Sequence, residues 1–212
     1  MTRNVNIGCG HSVGKDWENY DASPTLRLER LPLLGRLVKK NRHRFPPEAM
    51  YGDITQGPIG APGTVSAVFC SHMLEHVSHE DMRNSLKHIH AMLIPGGVFR
   101  LIVPDLSIRA RMYVDKLGQP DAASRFLEMS DLGQRRMRRG LKSRLLAVLG
   151  NSAHLWMYDD ASMRQEHELA GFSDIRRCAH GDSDVAAFAQ VENPDRFGTP
   201  DFTELAMECR KA

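Results

Sequence analysis

The sequence lacks the cysteine spacing that usually marks a zinc site or a disulfide framework. Its 212 residues include four cysteines, which lie far apart and form no C-x-x-C pair: Cys9, Cys70, Cys178 and Cys209. Two of the four fall in apolar runs typical of β-strands. We therefore expect free thiols in a reducing compartment.

Long apolar runs are absent as well. No stretch approaches the roughly 18 apolar residues of a membrane-spanning helix, and the N-terminus MTRNVNIGCG has no apolar core of a signal peptide. The net charge is only +2, which gives no general argument for binding nucleic acid. We expect a cytoplasmic protein, for which peripheral contact with a membrane stays open.

Internal repeats and low-complexity tracts are also missing, and the length suits one domain over residues 1–212. Apolar runs recur at the spacings of strands separated by helices. Five of these runs are predicted strands: 3–8, 18–23, 49–54, 65–70 and 98–104. The last is almost continuously apolar, as expected for a strand covered on both faces.

Helical periodicity and end signals predict three helical segments, at 80–97, 107–149 and 159–172. Pro95-Gly96-Gly97 ends the first, and Asp159 or Asp160 caps the third. Two strands without a convincing helix between them, 173–180 and 203–211, close the chain and indicate an antiparallel edge. The pattern predicts an α/β fold with a mostly parallel sheet.

A glycine turn follows the first predicted strand, where Gly8-x-Gly10 lies at its carboxyl end. Glycines there let the backbone turn tightly and approach a ligand without a Cβ in the way. A dinucleotide fingerprint would have its third glycine at position 13, which is Val13. The turn therefore indicates a ligand site other than one for NAD or FAD.

Acidic residues end the next two strands. Asp21 would lie beside the glycine turn, where a carboxylate can accept both hydroxyls of a ribose. Asp53 repeats the pattern at the third strand, and Ile54 could lie against an adenine ring. Taken alone, Asp21 could equally be a solvated residue at a strand end. A glycine turn and two carboxylates at three successive strand ends favour a nucleoside-containing ligand.

Several segments together resemble a class I S-adenosylmethionine (SAM)-dependent methyltransferase: VNIGCG, NYDAS, YGDI, VFCSHMLEHV, MLIPGGVFRLIVPD and HELAGFSDIRR. The likeness is greatest to small bacterial members with an SHxLEH segment, often linked to sugar or cell-surface polysaccharide metabolism. It covers most of 3–105 and about 154–211. It implies a Rossmann-like sheet with helices on both faces, SAM as cofactor, and substrate-recognition additions at 24–48 and 106–153.

The resemblance also implies which residues bind the cofactor: Asn6, Gly8, Cys9, Gly10, Asp21, Asp53, Ile54, Ser71 and His72. The glycine turn would lie under the methionine part, Asp21 would bind the ribose, and Asp53 with Ile54 would flank the adenine. Ser71 and His72 would line the methyl-transfer site. Many families have an acid where Asn6 stands. The first crossover, from Cys9 to Trp17, is so short that its helix should have only one or two turns.

The stretch SHMLEHV also has a second interpretation, because His72-x-x-Glu75-His76 is the H-x-x-E-H pattern of inverted zinc peptidases. That site needs the pattern inside a helix, together with a further ligand. His72 follows a strand-like run so closely that a helix should begin nearer Leu74. The zinc-hydrolase interpretation also leaves the glycine turn without a role. We therefore predict no metal site, a structural role for Glu75 and His76, and a cleft wall at this stretch.

Methyl transfer to a hydroxyl would need a general base, and three residues are candidates. His72 comes first, His154 second and Asp105 third. His154 could instead hydrogen-bond a loop, and Asp105 could cap the next helix. We expect an O-methyltransferase acting on a small molecule or sugar. A non-catalytic binding or scaffold protein of the same fold is the alternative, because Asn6 replaces the usual acid.

Two groups of basic residues could receive an anionic acceptor or a membrane surface, although a solvated helix face is the default explanation. They are 38–44 and the set Arg135, Arg136, Arg138, Arg139, Lys142 and Arg144. No aromatic residues are interleaved with them, so we expect no nucleic-acid partner. Trp156 and Tyr158 could form a wall against a sugar ring or pack against the sheet. No pattern indicates an oligomeric state.

Overall fold

The computed structural model describes residues 3–31, 44–133, 153–199 and 202–212. They contain one seven-stranded sheet, whose strands are β1 (Arg3–Ile7), β2 (Glu18–Asp21), β3 (Ala49–Tyr51), β4 (Val65–Ser71), β5 (Leu93–Val103), β6 (Phe172–Arg177) and β9 (Leu205–Lys211). The strand order in the sheet is β3-β2-β1-β4-β5-β9-β6. A two-stranded antiparallel sheet joins β7 (Gly198–Thr199) and β8 (Phe202–Thr203).

The sheet is mostly parallel, as predicted. The pairs β1–β2, β2–β3, β1–β4 and β4–β5 are parallel, whereas β9 is antiparallel to both β5 and β6. The last strand of the chain is thus inserted between β5 and the edge strand β6. Because the carboxyl ends of β1 to β5 all lie at one edge of the sheet, the loops that follow them meet there.

Five α-helices occur among the described residues: α1 (Pro24–Glu29), α2 (His79–Met92), α3 (Leu106–Val114), α4 (Ala122–Met129) and α5 (Asp160–Leu169). Two predictions of helix bounds were wrong. The segment 80–97 stops being helical at Met92, because Pro95 disfavours helical backbone at the preceding residue and the chain is already extended at Leu93. None of the described helices is long and apolar enough to span a membrane.

The predicted basic helix 107–149 is interrupted. It divides into α3 and α4, with Gly118 at a φ of +86° and Pro120 in the connection. A left-handed glycine and a proline both end helices. Residues 134–149 of this segment lie outside the described residues, as do the basic residues from Arg135 to Arg144 and residues 38–43.

The first crossover contains no helix, so the prediction of one or two helical turns was wrong. Residues 8–17 form turns only, and the buried Asn19 side chain holds them by accepting from Gly14 N and donating to the carbonyls of Gly14 and Trp17. The Trp17 indole donates to Ala187 O and packs against Phe188. A segment from late in the chain thus covers the sheet next to this crossover.

Two hydrophobic layers enclose the sheet. On one face α2 and α5 bury residues such as Leu86, Ile89 and Met163 against β5. The other layer contains Trp17, Phe69, Ile102, Phe188 and Val191, and 3₁₀ helices at Ala186–Gln190 and Pro194–Phe197 contribute to its cover. Among the described residues, all four cysteines are free thiols, as expected.

A buried arginine fastens this late segment to the sheet. Arg100 of β5 is fully buried and binds the carboxylates of Glu192 and Glu208. It also donates to the carbonyl of Ala179 at 2.6 Å. A buried guanidinium needs such compensation. Residues 178–197 are therefore held over the carboxyl edge, where some of their side chains reach the cleft.

Candidate functional site

Two adjoining cavities form a cleft at the carboxyl ends of the parallel strands. The larger cavity has a volume of about 550 Å³ and is lined by Asp53, Ile54, His76 and Leu155, among others. The smaller cavity, of about 210 Å³, is lined by Asn6, Cys9, Gly10, Ser71 and Arg196, among others. Gly8, Asp21 and His72 line both cavities. The strand ends predicted from the sequence therefore meet in one cleft.

The glycine turn has the backbone that the sequence predicts. Gly8 and Gly10 have φ angles of +67° and +53°, in the left-handed region. A Cβ on Gly8 would lie 2.7 Å from Met73 Cβ, closer than any packing allows, whereas a Cβ on Gly10 would meet nothing within 4 Å. Gly8 therefore permits the turn to approach the chain after β4, and Gly10 leaves space at the smaller cavity.

Asp21 is tied to the glycine turn by its carboxylate. Its Oδ2 accepts from Gly10 N at 2.9 Å, and its Oδ1 accepts from Ser23 N at 2.7 Å. A carboxylate has about four acceptor positions, so each oxygen can accept a further hydrogen bond from the cleft. The arrangement suits a pair of ribose hydroxyls.

Asp53 and Ile54 line the far side of the larger cavity. Asp53 Oδ1 accepts from both the backbone N–H and the hydroxyl of Thr55, at 3.0 and 2.7 Å. This turn orients the carboxylate, while Ile54, only 2 % exposed, provides an apolar surface next to it. A polar acceptor beside an apolar wall is the combination that a heteroaromatic base requires.

Asn6 and Cys9 shape the smaller cavity. The buried Asn6 amide donates to Ser12 O at 2.8 Å and to Asn19 Oδ1 at 3.1 Å, which supports the glycine turn. Burial, aided by the charge of Asp21, raises the pKa of the Cys9 thiol to about 12. Cys9 is thus a neutral thiol. Its backbone N–H donates to Tyr20 O and joins the turn to β2.

Ser71 and Arg196 add polar groups to the smaller cavity. Ser71 Oγ is buried and has no hydrogen-bond partner among the residues that the structure describes, so a bound ligand could satisfy it. Arg196, which comes from the 3₁₀ helix Pro194–Phe197, and Leu155 in the larger cavity were not predicted from the sequence. Both lie in segments without a recognisable motif, so no local signal could have identified them.

His72 lies at the junction of the two cavities with strained backbone. Its φ is +52°, and its N–H donates to Ile102 O at 2.8 Å. Its Nδ1 lies 3.3 Å from Glu75 Oε1 and its Nε2 lies 3.2 Å from Arg196 O. Burial by itself lowers the pKa of the imidazole, but the nearby carboxylate of Glu75 outweighs it, so the pKa is raised.

The other two candidate bases do not line either cavity. Asp105 is fully buried at the N-cap of α3, where Oδ1 accepts from Ser107 and Oδ2 binds Arg177 at 2.8 Å. These contacts favour the capping role for Asp105. His154 lies behind His76, with ring centroids 4.9 Å apart, and burial lowers its pKa. Of the three candidates, only His72 faces the cleft.

The helical H-x-x-E-H arrangement is not formed. His72 directly follows β4, residues Leu74–His76 form a 3₁₀ turn, and α2 begins only at His79. The two histidines of the pattern therefore do not lie one α-helical turn apart. Trp156 is 48 % exposed and stacks on His79, while Tyr158 is buried against the core.

The chemistry of this cleft fits S-adenosylmethionine. The spare acceptor positions of Asp21 suit the ribose, and the surface of Asp53 and Ile54 suits the adenine. The unpartnered Ser71 hydroxyl and the Arg196 side chain provide polar contacts beside the glycine turn, on the side where a charged methionine group would lie.

Comparison with known proteins supports the same conclusion. The family model of the methyltransferase domain matches residues 7–176. No curated protein matches the chain. A SAM-dependent methyltransferase from Thermotoga maritima aligns with 12% identity and a TM-score of 0.51 over 100% of this chain and 83% of the other. One from Archaeoglobus fulgidus aligns with 13% identity and a TM-score of 0.51 over 100% and 86%.

Magnesium protoporphyrin IX methyltransferase from Synechocystis PCC 6803, solved with bound S-adenosylhomocysteine, aligns with 14% identity and a TM-score of 0.50 over 100% of this chain and 74% of the other. At these identities the likeness between structures concerns the fold alone. The family match covers most of the chain and includes the glycine turn, both strand-end acids and the stretch after β4. The chain therefore belongs to the methyltransferase-domain family and is a class I SAM-dependent methyltransferase.

Proposed function

We propose that the protein methylates a hydroxyl oxygen of a small molecule, a sugar or a glycan precursor. The observation that carries this proposal is the shape of the cleft. The larger cavity runs from the nucleoside-type contacts of Asp21 and Asp53 to a polar wall that includes His72, His76 and Asp81. Its volume lies within the range of small-molecule sites. The wall offers acceptor atoms suited to hydroxyl groups.

The cofactor is proposed to lie across both cavities. Gly8 and Gly10 hold the backbone away from its methionine part, Asp21 accepts the ribose hydroxyls, and Asp53 with Ile54 flanks the adenine. When bound, S-adenosylmethionine supplies a methyl group that its sulfonium has already activated. The chain's own task is to align the acceptor oxygen with that group and to exclude water.

His72 is the proposed contact to the acceptor hydroxyl, with the role of general base. It lies where the two cavities join, and Glu75 behind it fixes the ring through Nδ1. Its Nε2 contacts Arg196 O in this structure. An acceptor hydroxyl therefore has to replace that carbonyl at Nε2.

A sugar acceptor is favoured by the lining of the cavity and by the resemblance of SHMLEHV to the SHxLEH members. Leu155 lines the cavity and its neighbour Trp156 is half exposed, so an apolar surface lies next to the polar wall, as sugar rings require. We place the reaction in the cytoplasm, in the synthesis of a polysaccharide, because the cysteines of the chain are free thiols.

The test is to incubate the purified protein with SAM and a panel of sugars, nucleotide sugars and phenols, and to detect methylated products by mass spectrometry. Matched amines and thiols are included. We expect an added methyl group that is localised to oxygen by fragmentation. Transfer only to nitrogen or sulfur acceptors contradicts O-methylation, and failure to bind S-adenosylhomocysteine in calorimetry contradicts the assignment of the cleft.

A further inference from the structure

A buried carboxylate lies beside the cleft. The Glu75 side chain is fully buried, and neither of its oxygens accepts a hydrogen bond from any residue that the structure describes. The nearest group is His72 Nδ1, at 3.3 Å from Oε1. Burying an ionised carboxylate without compensation is strongly unfavourable. A cation next to Glu75, either an imidazolium or a metal ion, would supply that compensation.

Two further imidazoles, those of His76 and His154, lie close to the same carboxylate. His76 Nδ1 lies 3.3 Å from Ala153 O, which requires a proton on Nδ1 and leaves the lone pair of the neutral ring on Nε2. That Nε2 lies 3.9 Å from Glu75 Oε1. An imidazole lone pair and a carboxylate oxygen repel one another unless a cation lies between them.

His154 completes the group from another part of the chain. Its side chain is only 7 % exposed, and its Nδ1 is buried with no hydrogen-bond partner in the described part of the chain. Its Nε2 lies 3.8 Å from the Asp131 carboxylate. The stretch that carries it is held in place by the backbone, because Leu155 N donates to Glu75 O at 2.7 Å. One donor atom each from Glu75, His76 and His154 lies within 4.8 Å of the others.

We propose that Glu75, His76 and His154 bind one divalent transition-metal ion. One carboxylate and two imidazoles are a donor set that suits zinc. Zinc ligands lie about 2.0–2.2 Å from the ion and hence about 3.4 Å from each other, so small side-chain movements complete the site. The Ala153 carbonyl and the Asp131 carboxylate orient the two rings, as outer partners of metal-bound histidines do.

This site is distinct from the contacts assigned to the cofactor and does not depend on the nature of the acceptor. His76 also lines the larger cavity, so the ion would fasten the stretch around His154 to the wall of the cleft. Three protein ligands leave one coordination position for water or for an oxygen of the acceptor. The site also differs from the H-x-x-E-H pattern, because it uses His154 in place of His72.

The test measures metal, without any methyl transfer. The purified protein is dialysed against a chelator and titrated with Zn²⁺ by calorimetry, and bound metal is counted by mass spectrometry after gel filtration. We expect one equivalent for the wild type, and about a hundredfold weaker binding for Glu75→Gln and His154→Gln. His72→Gln and the exposed control His180→Gln should each keep one equivalent.

A second readout guards against variants that fold poorly. Zn²⁺ should raise the Tm of the wild type and of His180→Gln but leave that of Glu75→Gln unchanged. Co²⁺ should give a visible absorption band with the wild type and with His180→Gln, and none with Glu75→Gln. Absence of saturable Zn²⁺ binding by the wild type overturns the proposal. So does loss of the metal in His72→Gln with retention in His154→Gln.

Discussion

The two ends of the cleft are built in different ways. At the cofactor end, the hydrogen bond from Gly10 to Asp21 joins residues that are 11 positions apart, and Asp53 binds its neighbour Thr55. At the acceptor end, His72 contacts Arg196 across 124 positions, and His76 contacts Ala153 across 77. One end is made of local turns after strands, and the other of long-range contacts.

This difference explains what each end can do. Local turns hold the backbone donors and carboxylates of the cofactor end in place wherever the sheet forms, which suits a ligand common to the whole family. The acceptor end depends on segments that the fold brings together, so it can vary between members without disturbing the sheet. Mutations should therefore separate cofactor binding from acceptor contact.

The largest expected effect is a loss of stability in Gly8→Ala that Gly10→Ala should not share. Gly8→Ala should lower the free energy of unfolding by about 3 kcal/mol, because its Cβ overlaps Met73 and its backbone is left-handed. Gly10→Ala should lower it by only about 1 kcal/mol, from the backbone alone, and should mainly weaken S-adenosylhomocysteine binding. Urea denaturation and calorimetry measure the two quantities. Equal destabilisation by both changes would contradict the tight approach at Gly8.

Acid should weaken the packing of α5 against the sheet. His167 of α5 is buried, its Nδ1 lies 2.7 Å from Met163 O, and burial lowers its pKa from 6.5 to about 4. His167 binds a proton more readily in the unfolded chain than in the folded protein. The free energy of unfolding is therefore unaffected by this residue above pH 6.5 and decreases as the pH falls from 6.5 toward 4. The loss should reach about 3 kcal/mol.

Denaturation of His167→Leu at several pH values checks this expectation. The variant should show a smaller loss of stability between pH 7 and pH 5 than the wild type, whereas the exposed control His180→Gln should follow the wild type. An identical pH dependence in wild type and His167→Leu would mean that His167 does not control acid stability.

At the cofactor end, Asp21→Asn should weaken S-adenosylhomocysteine binding about thirtyfold to a hundredfold. The change keeps the shape of the side chain but removes the charge and one acceptor oxygen, and charge-assisted hydrogen bonds contribute about 1.5–3 kcal/mol each. Calorimetry measures the affinity. The control is Asp184→Asn, whose side chain is 95 % exposed, and its affinity should match the wild type.

The smallest effect is expected at the acceptor end. Asparagine tolerates left-handed backbone, so His72→Asn should keep the conformation at this position while it removes the imidazole. We expect kcat/KM for the acceptor to fall about tenfold, with the affinity for S-adenosylhomocysteine nearly unchanged. A large loss of cofactor affinity with an unchanged kcat would assign His72 to the cofactor end instead.

Predictions from the sequence were most accurate where neighbouring residues carry the information. Strand positions, the helix capped by Asp159 and the succession of Gly8, Asp21 and Asp53 follow from periodicity and turn chemistry. The helix predicted in the first crossover was wrong, because Asn19 and Trp17 organise turns there with help from residues 186–190. No pattern near residue 10 predicts that residues 186–190 pack against the first crossover.

The sequence by itself determined the parallel sheet, the glycine turn and the acids at the strand ends, because each depends on local backbone preferences and on apolar periodicity. Only the tertiary structure decided which distant side chains meet. Arg100 holds residues 178–197 over the cleft. Glu75 lies close to His154, which comes from a segment much later in the sequence. The pairing of buried charges depends on how the whole domain packs, and no single segment of the sequence predicts that packing.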